Sequence, residues 1–454
     1  MFNWGETIRY SEPIKIAKNI NELIQIAKNK KYTVLGGGHS FIDIYGGGSL
    51  INIEKFNNVL DINLDENSVT AEAGIKIYEL EDFLKQYKRV LSSVGSIREQ
   101  TLAGTASNCV NALGGNGLNQ FSETILEITY INNDGEIKKI NGPELKYYSV
   151  HLGSICGLIY SIKVKISDKT YLKYYDDYIN IKNIQKYIEN INNSRKTVLC
   201  EFLYFFNNPE EISVLLAEPF KDKTNIDETL IPSNDNYTAL EKNKNGGNMV
   251  NVIKHAREFD KLVKKYGIKY VNRFRNHIED GINIQHYSKL WFRGGKYIDE
   301  PVSFMEFYVP LIYVNRIIKI LETMNISKLA YYIQMRPFLK SNNLLCPSYK
   351  ENVVSILFGT TVKNMLKHKD IIDILNFIGV RWHWGEALDI CMYDGYIERV
   401  FSNKVRNDIE KKLINKDNMR PQLAKAIKHL DNYKDSWNVM FGKNLKKIEN
   451  SLIL

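Results

Sequence analysis

The chain has 454 residues, 44% of them hydrophobic and 25% charged, with a formal net charge of +9. This length predicts two domains or one large composite domain, which can bury a core without help from disulfides. Five widely spaced cysteines without a CxxC pair argue against a disulfide framework or a zinc site and favour a reducing compartment, so we expect a cytoplasmic protein.

Charge and hydropathy also limit the classes of partner. The basic residues are spread along the chain and no DNA-reading motif occurs, so no nucleic-acid partner is expected. Residues 1–10 contain Glu6 and Arg9 and lack an apolar centre, which argues against a signal peptide. No apolar run approaches the ~20 residues that span a bilayer, so no transmembrane segment is expected. The sequence leaves the oligomeric state open.

The first predicted elements are a strand, a helix and a second strand. Asn19 followed by Glu22 is typical of a helix start, and the apolar residues at 23, 24, 26 and 27 indicate its buried face. The run at 32–35 predicts a short buried strand, and a glycine loop at 36–41 follows it. Further strands are expected at 50–53, 59–62 and 69–73, with a helix over 77–87.

Residues 95–117 are rich in Gly, Asn, Ser and Thr and predict a long loop without regular structure. Structureless loops longer than roughly 12–15 residues inside a compact domain are usually functional. Strands are expected at 125–131 and 159–166. Near residue 168 the composition shifts toward Lys, Asn, Tyr and Asp, which predicts a domain boundary. Beyond it we expect mixed strands and helices and then a mainly helical tail.

The glycine loop carries the first chemical signal. Three successive glycines, Gly36 to Gly38, allow close approach of a ligand, and converging backbone N–H groups suit a pyrophosphate. The loop does not match GxGxxG, and the glycines alone favour a tight turn over a binding loop. His39 adds a neutral imidazole that could bond covalently to an electrophilic cofactor carbon, or could simply donate a hydrogen bond to a phosphate.

Four segments resemble one family. Residues 34–41 resemble the flavin-attachment loop of aldonolactone and alditol oxidases, which belong to the vanillyl-alcohol oxidase group of flavoproteins. Residues 95–105 resemble the second flavin-binding loop of this family, and residues 151–159 resemble the segment that closes its FAD-binding half. Residues 381–386 resemble its His-Trp-x-Lys motif, with Glu386 in place of the lysine.

The resemblance implies FAD as cofactor, attached covalently through His39. The other FAD-binding residues that it implies are Gly36, Gly37, Gly38, Ser40 and Phe41 around the pyrophosphate, Ser96, Thr101, Gly104, Thr105 and Ser107 along the pyrophosphate and isoalloxazine, and Gly157 and Ile159 by the adenine.

Four residues are catalytic candidates. Arg336 could stabilise developing charge, because it stays ionised and offers a rigid donor fork. Glu386 or His383 could accept the hydroxyl proton. Gln334, which stands where the family has a glutamate, could hold a substrate hydroxyl. Arg336 could equally be half of an ordinary ion pair, and His383 a satisfied core histidine. No metal is expected.

Together these features predict an α+β flavoprotein. Residues 1–168 would form an FAD-binding domain of the vanillyl-alcohol oxidase type, residues 169–380 a cap with an antiparallel sheet and helices, and residues 381–454 a segment that returns to the FAD domain. The expected function is oxidation of a hydroxyl on a small polyhydroxylated substrate (a sugar lactone, sugar or alditol), with O2 as acceptor and H2O2 as product. The alternatives are a dehydrogenase with another acceptor and a catalytically altered, flavin-bearing binding protein.

Overall fold

The structure, a computed structural model, describes residues 13–29, 31–40, 49–93, 95, 97–111, 119–153, 157–168, 171–194, 197–220, 260–261, 263–267, 283–286, 302–386 and 437–452. These residues form an α+β fold with three sheets. Among the helices in these ranges, none combines the length and apolar character that a membrane crossing requires.

A small parallel sheet carries the glycine loop. Its elements, in chain order, are β1 (Ile14–Ile16), α1 (Ile20–Asn29), β2 (Tyr32–Leu35) and β3 (Ser49–Asn52). The strands lie in the order β1-β3-β2. Asn19 Oδ1 accepts the backbone N–H of Glu22 at 3.1 Å, so the predicted helix start is confirmed. Helix α1 buries Leu23 and Ala27, and the chain leaves β2 directly into the loop.

A six-stranded sheet supports the second candidate flavin segment. Its strands and the adjoining helices are β4 (Val59–Asn63), β5 (Ser68–Glu72), α2 (Ile77–Lys85), β6 (Arg89–Leu91), α3 (Leu102–Ser107), β7 (Ile125–Asn132), β8 (Ile137–Asn141), α4 (Leu145–Tyr148) and β9 (Gly157–Asp168). The order is β4-β5-β9-β7-β8, with β6 also paired to β9, and the pairs are antiparallel.

The prediction of a structureless stretch over 95–117 is wrong in part. Residues 102–107 form the short helix α3, which Thr101 caps by accepting the N–H of Gly104 at 3.2 Å. The helix escaped prediction because glycine and threonine are weak helix formers, and here a side-chain cap and burial of Leu102 and Ala106 compensate. Residues 112–118 lie outside the described part.

A large antiparallel sheet forms the rest of the described chain. Its eight strands and the helices among them are β10 (Tyr171–Asn180), α5 (Ile184–Ser194), β11 (Leu199–Phe205), β12 (Glu211–Phe220), β13 (Asn283–His286), β14 (Val302–Pro310), α6 (Val314–Thr323), β15 (Tyr332–Phe338), β16 (Val353–Thr361), α7 (Val362–Lys367), α8 (Lys369–Ile378), β17 (Arg381–Trp382) and α9 (Trp437–Ser451). The order is β13-β10-β12-β11-β15-β16-β14-β17.

One apolar core joins this sheet to its helices. Buried faces of α5, α6, α8 and α9 pack with side chains of β11, β12, β14, β15 and β16. Strand β17 pairs with β14 at the edge of the sheet, and the chain then runs on to Gly385, beside Ser40 of the glycine loop. The predicted domain limits at residues 168 and 380 stay a prediction.

Candidate active site

A pocket lies where the glycine loop, α3 and the segment after β17 meet. The residues that line it are Val34, Gly36, Gly37, Gly38, His39, Ser40, Gln100, Thr101, Gly104, Ser107, Asn108, Val110, His383, Gly385 and Glu386. The fold therefore brings together the predicted loop residues and two of the four predicted catalytic residues.

The glycine loop packs against α3 more closely than a side chain would permit. A Cβ on Gly36 would lie 2.6 Å from Thr101 Oγ1, and one on Gly37 would lie 2.8 Å from the carbonyl oxygen of Glu99. Gly38 has φ of +71°, in the left-handed region that favours glycine. These positions form a backbone-lined cradle, the arrangement that a dinucleotide pyrophosphate requires.

His39 is a neutral imidazole. Burial, and then the nearby Lys76 ammonium, lower the pKa of His39 to about 3. The side chain therefore keeps a nitrogen lone pair at any physiological pH, as a nucleophile or hydrogen-bond acceptor must. Lys76 precedes α2 and escaped the sequence analysis, because a lysine before a helix is usually a solvated residue.

The remaining predicted cofactor residues divide into four groups. Thr101, Gly104 and Ser107 line the pocket, whereas Thr105 is buried and donates its hydroxyl hydrogen to the carbonyl oxygen of Thr101 at 3.0 Å. Gly157 and Ile159 lie on β9, outside the lining given above. The predicted residues outside the described ranges are Phe41 and Ser96.

The second wall of the pocket is held by backbone pairing to β14. The N–H of His383 donates to the carbonyl oxygen of Glu306 at 2.8 Å, and the N–H of Glu306 donates to that of Glu386 at 3.1 Å. The N–H of Gly385 donates to His383 Nδ1 at 3.1 Å, so Nδ1 is the unprotonated nitrogen. Burial lowers the pKa of His383, which is therefore neutral near pH 7.

Glu386 and Glu306 form a carboxyl pair. Burial, and then the charge of Glu306 and a hydrogen bond with it, raise the pKa of Glu386 well above its usual range. The pair therefore shares a proton at neutral pH. In the described structure Glu386 Oε2 is buried without a hydrogen-bond partner, so it can accept one from a ligand.

A buried hydrogen-bond chain supports Glu306 from behind. Asn111 Nδ2 donates to Glu306 Oε1 at 2.6 Å, and the Tyr308 hydroxyl donates to Asn111 Oδ1 at 2.8 Å. Burial, and then the charge of Glu306, raise the pKa of Tyr308 well above its usual range, so its hydroxyl stays protonated. By resemblance to the family, Glu306 was expected on a strand, facing the pocket or a partner strand. Its contact with Asn111 was not predictable, because the two residues are far apart in the chain.

Arg336 and Gln334 lie on β15, outside the pocket lining. Arg336 Nε donates to Glu201 Oε2 at 3.1 Å. This is the ordinary ion pair that the sequence allowed as the alternative to a catalytic role for Arg336. Its charge nevertheless acts on the pocket, because it lowers the pKa of both His383 and Glu386.

The carboxyl pair and His383 also have the spacing of metal ligands. One ligand atom of each of Glu306, His383 and Glu386 lies within 4.8 Å of the others. The Asn111 N–H donor beside Glu306 and the Arg336 charge both oppose a cation there, whereas both are compatible with a shared proton.

Comparisons with known proteins agree with this geometry. Residues 15–141 match the FAD binding domain family. An L-gulonolactone oxidase from Mus musculus is 26% identical over 237 residues, 49% of this chain and 51% of that protein. A D-arabinono-1,4-lactone oxidase from Saccharomyces cerevisiae is 26% identical over 196 residues, 39% of this chain and 35% of that protein. The chain thus spans about half the length of the curated relatives it matches, or less.

Solved structures show the same fold over nearly the whole chain. A cholesterol oxidase from B. sterolicum has a TM-score of 0.63 at 9% identity and covers 94% of this chain and 96% of its own. BBE-like 1 from Physcomitrella patens has a TM-score of 0.62 at 12% identity, with 94% of each chain covered. Residues 15–141 are therefore similar to the FAD binding domain family, the chain shares the fold of these solved structures, and the curated relatives that it matches are aldonolactone oxidases.

Proposed function

We propose that the protein is an FAD-dependent oxidoreductase that oxidises a hydroxyl group of a sugar lactone, sugar or alditol, with O2 as acceptor and H2O2 as product. The observation that carries this proposal is that the glycine loop and the segment 383–386 line one pocket. A glycine cradle with a neutral histidine faces a carboxyl pair that shares a proton. The lactone oxidase relatives support the substrate class.

The cradle fits FAD, because Gly36, Gly37 and Gly38 line the pocket with backbone and carry no side chain that could occupy it. Residues of the loop and of α3 would hold the cofactor, which when bound supplies the hydride acceptor for alcohol oxidation. We further propose that His39 attaches it covalently. Support comes from the low pKa of His39, which keeps the imidazole unprotonated and nucleophilic.

The carboxyl pair would receive the proton that the substrate hydroxyl loses. A hydroxyl that donates to Glu386 Oε2 can pass its proton there as the C–H bond breaks. Glu386 is hydrogen bonded to Glu306, so the proton that the pair already holds would shift onto Glu306 as Glu386 takes the substrate proton, and the negative charge of the pair is neutralised. The positive charge of Arg336 would favour the ionised form of the pair.

Covalent attachment is tested by denaturation. Protein precipitated with acid should keep its yellow colour in the pellet, and the His39→Ala variant should release the colour to the supernatant while its circular dichroism stays unchanged. His39 lies in a loop, so its replacement removes little core packing. Colour in the supernatant of the unaltered protein would refute the covalent link and leave FAD binding intact.

Turnover is tested with a panel of sugar lactones, sugars and alditols under nitrogen. Bleaching of the flavin absorbance by one of them would establish the dehydrogenation step. Fast recovery of the absorbance on admission of air would support the oxidase, and slow recovery would favour a dehydrogenase with another acceptor. Glu386 stands where the family has a lysine, so the alternative is a flavin-binding protein without turnover. A failure of every compound to bleach the flavin would favour this alternative.

We also propose that the protein works in the cytoplasm. The five dispersed cysteines support this location, and those at positions 109, 200 and 346 are free thiols. Fractionation of cells that express the chain, followed by detection of the protein, would test this proposal.

A further inference from the structure

Two thiols meet behind the pocket. Cys109 Sγ donates to Cys346 Sγ at 3.0 Å, and both side chains are completely buried. A disulfide needs the sulfurs at about 2.0 Å, so a movement of about 1 Å would bring them to bonding distance. Cys200, the third cysteine of the described chain, lies on β11.

Cys109 occupies a backbone position that suits another residue better. It follows the C-cap of α3 with φ of +54°, in the left-handed region where helices usually end with glycine or asparagine. A cysteine there costs roughly 1 kcal/mol relative to glycine. The thiol is therefore held at this point in spite of a local conformational cost.

Cys346 lies among groups that can stabilise a thiolate. Burial alone would raise its pKa, but hydrogen bonds with the Cys109 thiol and the Ser348 hydroxyl hold the pKa below its usual value. The Cys346 thiol donates to Gln120 Oε1 at 2.8 Å, this oxygen also accepts from the Ser348 hydroxyl at 2.6 Å, and Gln120 Nε2 has no hydrogen-bond partner in the described structure. Rotation of this amide by half a turn would direct an N–H donor at the sulfur.

We propose that Cys109 and Cys346 form a reversible disulfide, with hydrogen peroxide as the oxidant, that ties the end of α3 to the loop between β15 and β16. The Cys346 thiolate attacks one peroxide oxygen, the O–O bond breaks, and a sulfenic acid and water result. The Cys109 sulfur then attacks the sulfur of that sulfenic acid and displaces its oxygen as a second water. Two thiols and one peroxide thus give one disulfide and two waters.

The pair is placed to meet peroxide that forms in the pocket. Both chain neighbours of Cys109, Asn108 and Val110, line the pocket, so the buried Cys109 thiol is one residue away from the space in which peroxide would form. This source of oxidant rests on the proposed oxidase activity, whereas the chemistry of the pair does not.

The cross-link would join both walls of the pocket. Asn111, two residues after Cys109, donates to Glu306. On the other side, the carbonyl oxygens of Leu345 and Pro347 accept from Trp384 Nε1 at 2.7 Å and from Arg381 at 2.9 Å, which positions the segment that ends in Glu386. Oxidation would therefore fix the loop between β15 and β16, and with it the segment from β17 to Glu386, relative to α3.

The test treats the FAD-loaded protein, without substrate, with dilute hydrogen peroxide and then blocks free thiols. Mass spectrometry of the non-reduced digest should find a peptide pair that joins Cys109 to Cys346, with the intact protein lighter by about 2 Da, and dithiothreitol should reverse both changes. Recovery of both cysteines as blocked free thiols, or with oxygen added separately to each, would overturn the proposal.

Matched variants separate the pair from general oxidation. Cys109→Gly suits the left-handed backbone and should abolish the cross-link, and Cys346→Ala should do the same, while Cys200→Ala should leave it intact. Peroxide should also raise the melting temperature of the unaltered protein and not that of Cys109→Gly, because the link closes a loop across 237 residues. Added peroxide makes this outcome independent of turnover, so failure of the proposed oxidase would leave the test standing.

Discussion

Glu386 is an acidic residue of the pocket whose environment raises its pKa well above the usual range. Its carboxyl group has Glu306 on one side, Arg336 within electrostatic reach and the open pocket on the other. Two carboxyl groups this close cannot both ionise easily, so Glu386 keeps its proton to higher pH than an isolated glutamate does. That property suits a group that must take up a proton during turnover and release it afterwards.

We predict that Glu386→Gln slows anaerobic flavin reduction by about 100-fold at neutral pH, because an amide cannot take the hydroxyl proton. Glu306→Gln should instead move the pH dependence of this step toward lower pH, since the charge that raises the Glu386 pKa is removed. Stopped-flow absorbance between pH 5 and 10 measures both effects. The control is Glu66→Gln, which removes one partner of an exposed ion pair with Lys163. An unchanged rate of flavin reduction in Glu386→Gln would exclude Glu386 as the proton acceptor.

At the scale of elements, the glycine cradle depends on the close packing of the loop after β2 against the start of α3, where a side chain on Gly36 would not fit. In Gly36→Ala the new Cβ would meet Thr101 Oγ1, so we expect β2 and α3 to separate slightly and FAD affinity to fall at least tenfold with little change in fold. Adding Thr101→Ala removes the opposing oxygen and should restore part of the affinity, although it costs the α3 cap about 1 kcal/mol. Fluorescence titration of flavin-free protein measures the affinity, and equal losses in the single and double variants would refute the contact.

Helix α2 is joined to β6 by a buried carboxyl group. Glu81 Oε1 accepts the N–H of Leu91 at 2.8 Å, and burial raises the pKa of Glu81 to about 7. The unfolded chain releases this proton near pH 4.5, whereas the folded chain keeps it until about pH 7. The free energy of unfolding therefore falls as pH rises through this window and stays lower above it.

We expect Glu81→Gln to remove this contribution and to be more stable than the unaltered protein above pH 7, by about 3 kcal/mol at most. Urea unfolding at pH 5 and pH 8 measures the difference. If the two proteins show the same loss of stability between these pH values, Glu81 ionises in the folded state as it does in water.

At the scale of the whole molecule, the last described helix supports the pocket wall. Trp437 Nε1 donates to the carbonyl oxygen of Gly379 at 2.8 Å, and the Arg381 guanidinium lies 3.7 Å from the centre of the Trp437 ring. Arg381 in turn holds the loop that contains Cys346, so α9 reaches the pocket through one intermediate residue.

We predict that Trp437→Ala lowers the free energy of unfolding by about 3–5 kcal/mol, the usual cost of removing a buried indole. It should also weaken flavin retention, because Arg381 loses its packing partner. Thermal unfolding and flavin release on heating measure the two effects, with Lys447→Ala, exposed on the same helix, as control. Retained flavin at the normal temperature in Trp437→Ala would show that α9 stabilises the sheet without bearing on the pocket.

Local pattern sufficed for the first part of the fold. The Asn19 cap, the strand at 32–35 and the glycine loop follow from neighbouring residues, and each was predictable. The pairing of Glu306 with Glu386 was not, because it depends on how β14 and β17 lie in an eight-stranded sheet. Side-chain pairs across distant strands leave no periodic mark on the sequence. The resemblance to a family placed Glu386 and His383 at the pocket, and Glu306 facing the pocket or a partner strand, but it gave no indication that Glu306 pairs with Glu386.

One wall of the pocket comes from residues 34–110 and the other from residues 383–386, late in the chain. A polypeptide still leaving the ribosome with only its first 300 or so residues synthesised therefore carries the proposed flavin-binding wall and lacks the wall with the carboxyl group. Completion of the proton-accepting wall is thus a late event in biogenesis, whereas the proposed cofactor residues are made early.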